Sequence, residues 1–309
     1  MRILAVGAGS VGGYFAGLLG HAGHDVALVA RGAHARAIRD EGLAIETPTG
    51  KLRLPARVIE PLRAARGFGA EVVIVAVKAR DLGGVLGDIP PTLAPSGVAV
   101  SLLNGLDSEE KLAGVVDPER VFGGKVMIAA GRIGPGRLYV RAGGDMLLAP
   151  LVPASLGRAR ELASAFSRAF PCTVHPDLGW VLYRKLLWNA PFSALAAITG
   201  KAAGEVLAVP ALERVARASM AEVLSVARAE GVDLGPDDAE AMIRATREVF
   251  GATTPSMQQD LGAGQPTEAD AIHGALVERG ARHGIPMPVN QVLWALIQGL
   301  ERGSAAPRG

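Results

Sequence analysis

Hydrophobic and polar positions follow two different rhythms along this 309-residue chain. Through residue 176, short β-branched runs at 2–6, 25–30, 72–77, 98–103 and 122–129 alternate with helical patterns, as in a parallel sheet covered by crossover helices. Within 43–58, Pro48-Thr49-Gly50 separates two alternating runs and predicts a hairpin insert, and a second hairpin is expected around 134–148. A helix over 154–170 and a short strand at 172–174 complete this part. From Asp177 onward strands give way to helical periodicity over 178–198, 210–230, 236–250, 267–283 and 289–302. Pro236 at a helix start and Gly231 just past a helix end follow the usual asymmetry of helix boundaries.

The predicted architecture is α/β: an N-terminal Rossmann-type, doubly wound sheet over residues 1–176 and an all-helical C-terminal domain over 177–309, with 303–309 a frayed tail. Its 49% hydrophobic and 20% charged content is that of a globular chain with room for two cores. No apolar run has the length of a membrane helix, and Met1 leads directly into a strand without a signal peptide, so a cytoplasmic location is expected. A net charge of +2 without a block of like charges gives no footprint for nucleic acid or anionic membrane, leaving a small molecule as the expected partner. The single cysteine, Cys172, excludes an intrachain disulfide, and the scattered histidines suggest no metal site.

Gly7, Gly9 and Gly12 form G-x-G-x-x-G between a buried strand and a helix that leads to a second strand. In that setting Gly7 makes the tight turn, Gly9 admits a pyrophosphate and Gly12 lets the helix pack on the strand. The loop Gly7, Ala8, Gly9, Ser10, Val11 and Gly12 is therefore the candidate dinucleotide site, with the Ser10 and Val11 N–H groups facing the pyrophosphate. After the second strand the chain reads Leu28-Val29-Ala30-Arg31-Gly32, without the carboxylate that holds an NAD ribose. Arg31, with Arg36 in reserve, offers a guanidinium fork for a 2′-phosphate, so NADP is the expected cofactor.

Only six of the 32 basic residues are lysine, and the chain has three asparagines. Lys185, Asn189 and Ser193 fall at i, i+4 and i+8 and form one polar column on an otherwise apolar helix. Pro191 lies beside it and frees the Leu187 carbonyl, predicting a kink and a cleft wall. Farther on, Thr267 can cap a helix with the acidic Glu268 and Asp270 in its first turn, so capping alone accounts for these residues.

These residues, in this order and across essentially the whole chain, resemble the ketopantoate reductase family. The matching segments are Gly7 to Gly12, Arg31, Val77-Lys78-Ala79, Leu103-Asn104-Gly105, Arg184-Lys185-Leu186 with Asn189, Ser256-Met257 with Asp260, and Thr267-Glu268 with Asp270. The resemblance implies an NADP-binding Rossmann domain joined to a helical domain like that of 6-phosphogluconate dehydrogenase, with the active site between them. It implies that Lys78, Asn104 and Ala130 line the nicotinamide side and that Asn104, Asn189 and Ser256 meet the substrate; Ser193, on the same polar column as Lys185 and Asn189, is a further candidate substrate contact. Lys185 then corresponds to the proton donor, and Glu268 to the residue that holds substrate hydroxyl or cofactor, which displaces the capping account for Glu268. The implied reaction is NADPH-dependent reduction of ketopantoate to pantoate in pantothenate and coenzyme A synthesis. The residue types suit it: a positioned ammonium stabilises and protonates the oxygen of a ketone receiving hydride.

Three positions depart from the family pattern: Ser193 where a second asparagine is frequent, Gln265 where a basic residue is common, and Ala203 where some members have Asn. Each touches substrate choice more than reductase chemistry. They keep open a related 2-hydroxyacid dehydrogenase of the mandelate type, acting on another branched or aromatic 2-oxo acid. A 3-hydroxyacid dehydrogenase usually carries a glycine-rich stretch just before the lysine, which Gly179-Trp180-Val181-Leu182-Tyr183 does not supply, and a non-catalytic NADP-binding protein would have no use for Lys185, Asn189 and Glu268. The Leu- and Ala-rich helical domain could support a homodimer.

Overall fold

Ile3, Leu4, Ala5 and Val6 are at most 1% exposed, so β1 (Arg2–Val6) is buried on both faces, the condition of a central parallel strand. The computed structural model describes residues 1–304 and forms two units, Met1–Leu103 with Ser108–Leu178, and Asn104–Asp107 with the chain from Gly179 onward.

In the first unit β1 is followed by α1 (Ser10–His21), β2 (Asp25–Val29), α2 (Gly32–Glu41), β3 (Leu43–Thr47), β4 (Gly50–Leu54), β5 (Arg57–Ile59) and β6 (Ala70–Val75). Then come β7 (Leu93–Ser101), α3 (Ser108–Ala113), β8 (Val121–Gly134), β9 (Arg137–Pro150), α4 (Leu156–Phe166) and β10 (Cys172–Val174). The sheet order is β4-β3-β9-β8-β7-β6-β1-β2-β5, with β10 beside β9. From β5 to β8 every pairing is parallel, which is the Rossmann arrangement. Phe15 of α1 stacks edge-on against Phe170 with ring centroids 4.7 Å apart, on the face covered by α1 and α4. The opposite face buries Leu4, Val6, Val73 and Val75 with Leu82, Ile89 and Leu112.

Three local expectations change. Between β6 and β7 the crossover is a series of 3₁₀ turns, Ala79–Asp81, Leu86–Asp88 and Pro90–Thr92, because Gly83, Gly84, Gly87, Pro90 and Pro91 interrupt any longer helix. The expected fifth strand and second hairpin are one structure: β8 runs to Gly134, turns at once and returns as β9. The insert at 43–58 is a hairpin only through Leu54, since β5 pairs with β2 instead.

The second unit contains α5 (Leu178–Trp188), a π turn (Asn189–Ser193), α6 (Ala194–Thr199), α7 (Ala203–Leu207) and α8 (Pro210–Ala229). It continues with α9 (Pro236–Glu248), α10 (Ser256–Gly262), a second π turn (Asp270–Gly274), α11 (Ala275–Arg282) and α12 (Pro288–Ser304). The helix expected over 178–198 thus gives way at Pro191, whose missing N–H breaks the i→i−4 ladder, and the widened turn absorbs the break. The two π turns pack against each other. Helices α7 and α10 were not expected, being too short to show a period. Helix α12 extends through Ser304, into what was expected as a frayed tail; the rest of that tail, 305–309, lies outside the described residues. Among the described residues no helix is long and apolar enough to cross a membrane.

Candidate active site

The first unit builds the glycine loop by backbone approach. Gly7 has φ +107°, and a Cβ there would lie 2.7 Å from the Ala76 carbonyl group at the end of β6. A Cβ on Gly12 would lie 2.0 Å from the Gly7 oxygen, so neither position accepts a side chain. Gly9 is different: nothing lies within 4 Å of the place a Cβ would take. It immediately precedes α1, where Ser10 and Val11 begin the helix and are half-buried. Because Gly7 packs on Ala76 and Val77, the half-buried Lys78 follows two residues after the strand end that the loop touches. Ala130 lies on β8, opposite Val140 of β9.

The corner beyond β2 is electrostatically mixed. Arg31 is 83% exposed and 4.0 Å from Asp81. Glu60, next after β5, accepts the Gly32 N–H at 2.8 Å. A carboxylate therefore does reach the start of α2, but from the neighbouring strand, where inspection of the β2 end could not find it.

In the second unit Asn104 and Glu268 come together: Asn104 Nδ2 donates to Glu268 Oε2 at 2.8 Å. Gly105, with φ +95°, lies so close to the second π turn that a Cβ would be 2.4 Å from the Ala271 carbonyl oxygen. Arg279 of α11 secures the same short segment, donating to the Leu106 carbonyl at 3.2 Å and Asp107 Oδ1 at 3.0 Å. It also donates to both oxygens of Glu230, which accepts the Tyr183 hydroxyl at 2.7 Å. The Asn104 loop is thereby fixed to helical residues far from it in sequence.

Lys185 is half-buried on α5, whereas Asn189 and Ser193 are buried within the first π turn. Helix α10, which opens with the exposed Ser256, packs against that turn and α6. Gln265 is exposed and Ala203 is buried. Thr267 Oγ1 accepts the Ala269 N–H at 3.1 Å, so part of the capping expectation holds. Asp270 does something else: its Oδ1 accepts from Trp294 Nε1 at 2.8 Å and Gln298 Nε2 at 3.2 Å, bracing α12. The third asparagine, Asn290, is structural, its side chain joined to Ser219, Glu222 and His273.

Sequence reasoning missed a buried polar chain in the first unit. Lys125 Nζ donates to the Leu103 carbonyl at 2.6 Å and to Glu109 Oε1 at 2.8 Å, while Ser101, Ser108 and Glu109 Oε2 form a linked series. It holds both residues that flank the Asn104–Asp107 segment. The rarity of lysine in this chain was the available signal. Among the described residues no His, Cys, Asp and Glu cluster is suited to a metal ion.

The chain thus joins a Rossmann sheet carrying a glycine loop to a helical unit with a polar, π-turned centre. The ketopantoate reductase PanE/ApbA family model matches residues 3–153, and the family's C-terminal model matches 177–301. The chain belongs to this family. It is 30% identical over 311 residues to a 2-dehydropantoate 2-reductase of Halobacterium salinarum, covering 98% of this chain and 99% of the relative. A PanE/ApbA family ketopantoate reductase from Ralstonia eutropha has a TM-score of 0.89 and 33% identity, covering 99% of this chain and 100% of that one. D-mandelate dehydrogenase in complex with NADH also has a TM-score of 0.89, at 25% identity, covering 98% of this chain and 99% of that one.

Proposed function

We propose that this protein reduces the C2 ketone of 2-dehydropantoate to pantoate with NADPH, a step toward pantothenate and coenzyme A. The observation that carries the reading is the Asn104–Glu268 hydrogen bond, which joins two residues of the inferred site that are distant in sequence. The glycine loop fits a dinucleotide: Gly9 leaves open space before α1, and Gly7 and Gly12 allow the tight approach beneath it. Bound NADPH would supply the hydride that reduces the ketone.

In this reading Lys185 stabilises the negative charge growing on the ketone oxygen and then protonates it. Asn104, Asn189, Ser193 and Ser256 supply neutral hydrogen-bonding groups for the substrate, suiting a pocket that must bind a carboxylate and a hydroxyl without neutralising Lys185. Glu268 holds Asn104 and, through it, the substrate hydroxyl or the cofactor. Lys78 and Ala130 line the nicotinamide side, and Arg31 meets the 2′-phosphate.

A second reading, a 2-hydroxyacid dehydrogenase of the mandelate type, is favoured by Ser193: a short hydroxyl in a buried position leaves more room than asparagine. NADPH oxidation by purified protein, with ketopantoate, 2-oxoisovalerate, phenylglyoxylate and a 3-oxo acid, tests the choice, repeated with NADH. Preference for ketopantoate supports the first reading. Turnover confined to phenylglyoxylate or 2-oxoisovalerate moves the assignment to the second.

A further inference from the structure

His34 in the first turn of α2 makes two hydrogen bonds that join separate parts of the first unit. Its Nδ1 accepts the Gly136 N–H at 2.8 Å, at the turn between β8 and β9. Because an amide N–H can only donate, Nδ1 presents its lone pair there and the neutral ring carries its proton on Nε2. That Nε2–H donates to the Ala8 carbonyl in the glycine loop at 2.7 Å. Burial, with a smaller contribution from Arg132, holds the His34 pKa below the ordinary histidine value, against the opposing effect of the Ala8 bond. The ring is therefore neutral at neutral pH and has one tautomer that satisfies both partners.

The Ala8 carbonyl shares a rigid peptide plane with the Gly9 N–H, and in a trans peptide the two point in opposite directions. A bond that aims the carbonyl at His34 consequently aims the Gly9 N–H away from it. Nothing lies within 4 Å of a Cβ built on Gly9, the residue that immediately precedes α1. Gly136 is equally constrained: it has φ +67°, and its carbonyl accepts the Ala44 N–H at 2.9 Å. The imidazole thus braces a glycine-rich loop, which has little rigidity of its own, against a hairpin turn fixed by the sheet.

We propose that His34 is a positioning residue for the dinucleotide, orienting the Ala8–Gly9 peptide so that the loop is organised before the pyrophosphate arrives. The inference rests on the reading of the Gly7–Gly12 loop as the dinucleotide site. Pre-ordering of this kind changes affinity without a direct contact to the ligand. It should affect NADPH and NADH equally, since both carry the same pyrophosphate.

Two substitutions separate the two bonds. His34→Gln can place an amide N–H near the Nε2 position and keep the Ala8 bond; His34→Asn can place an oxygen near Nδ1 and keep only the Gly136 bond. Equilibrium binding of NADPH and NADH to the full-length protein, with cofactor KM and kcat, is the measurement. His34→Gln should remain within about twofold of wild type. His34→Asn should weaken both nucleotides by up to about tenfold, the effect of one lost hydrogen bond, while kcat at saturating cofactor is retained. Unchanged affinity in His34→Asn, or equal losses in both variants that follow their melting temperatures, overturns the role of His34. A wild-type protein that binds neither nucleotide overturns the loop reading and this proposal with it. The ¹⁵N shifts of the wild-type imidazole provide a test independent of variant folding: protonation at Nε2 is expected, and the Nδ1 tautomer overturns the assigned geometry.

Discussion

Asn104 and Glu268 lie 164 positions apart and share a hydrogen bond of 2.8 Å. The carboxylate accepts from an amide that is itself an expected substrate contact, so changing either residue changes the other's orientation. Glu268→Gln retains an oxygen able to accept from Asn104 while removing the charge. Turnover should fall at least tenfold with little change in melting temperature, because the loop remains tethered by Arg279. A large melting-temperature loss with normal turnover would make Glu268 only a clasp for the loop.

Lys185→Ala should lower kcat by orders of magnitude while NADPH affinity remains near wild type, since the ammonium acts on the reacting oxygen. Lys185→Arg should recover little, because a guanidinium gives up its proton far less readily. Equal turnover in wild type and Lys185→Ala removes Lys185 as the proton donor.

Cofactor choice depends on the charges around α2. Arg31→Ala should weaken NADPH more than NADH, and Glu60→Gln should shift the ratio the other way by removing a negative charge held at the Gly32 N–H. Each shift should be roughly threefold to tenfold and shrink at high salt, as for other exposed charges. Titrations at two ionic strengths check both, and equal losses for the two nucleotides in Arg31→Ala would separate Arg31 from the 2′-phosphate.

Lys125 and Glu109 are a buried pair, each with a side chain no more than 5% exposed. Lys125→Met strands a buried carboxylate and should cost about 3–5 kcal/mol, whereas Lys125→Met combined with Glu109→Leu should recover much of the loss. Urea unfolding of the three proteins measures this; a Lys125→Met protein as stable as wild type contradicts it.

His273 is completely buried, and burial lowers its pKa to about 4 despite its hydrogen bond with Asn290. The native state therefore resists a proton that the unfolded chain accepts near pH 6.5. Its contribution is fully present above that pH and is lost as the pH falls toward 4, amounting to roughly 3 kcal/mol. Urea unfolding between pH 7 and 4 should show this slope in wild type and a shallower one in His273→Gln; parallel slopes would assign the acid sensitivity elsewhere.

The sheet and the glycine loop were legible because their signals are local: β1 is a continuous apolar run, and Gly7 to Gly12 follows it directly. Pro191 likewise marked the first break in the helical unit. The second π turn, at Asp270–Gly274, contains no proline, and its widening is visible only in its packing against the first. Asp270 could be read as a capping residue because its partners, Trp294 and Gln298, belong to another helix. Lys125 alternates within a strand as a solvent-facing lysine would, and its partner Glu109 lies on α3, the crossover helix that precedes that strand. What was hidden in each case was a contact between residues distant in sequence, which leaves no periodic trace.

The assignment of Asn104–Asp107 to the helical unit gives the chain an unusual wiring diagram. The polypeptide leaves the Rossmann unit after Leu103, returns at Ser108 and leaves again after Leu178. Three peptide connections, not one linker, therefore tie the units together. A fragment beginning at Gly179 would carry Arg279 and Glu268 but neither Asp107 nor Asn104 to engage them. Gene fusions or domain exchanges within the family that cut only near residue 178 would import a helical unit while retaining the other parent's loop. A functional chimera should need that four-residue loop to travel with the helices it grips.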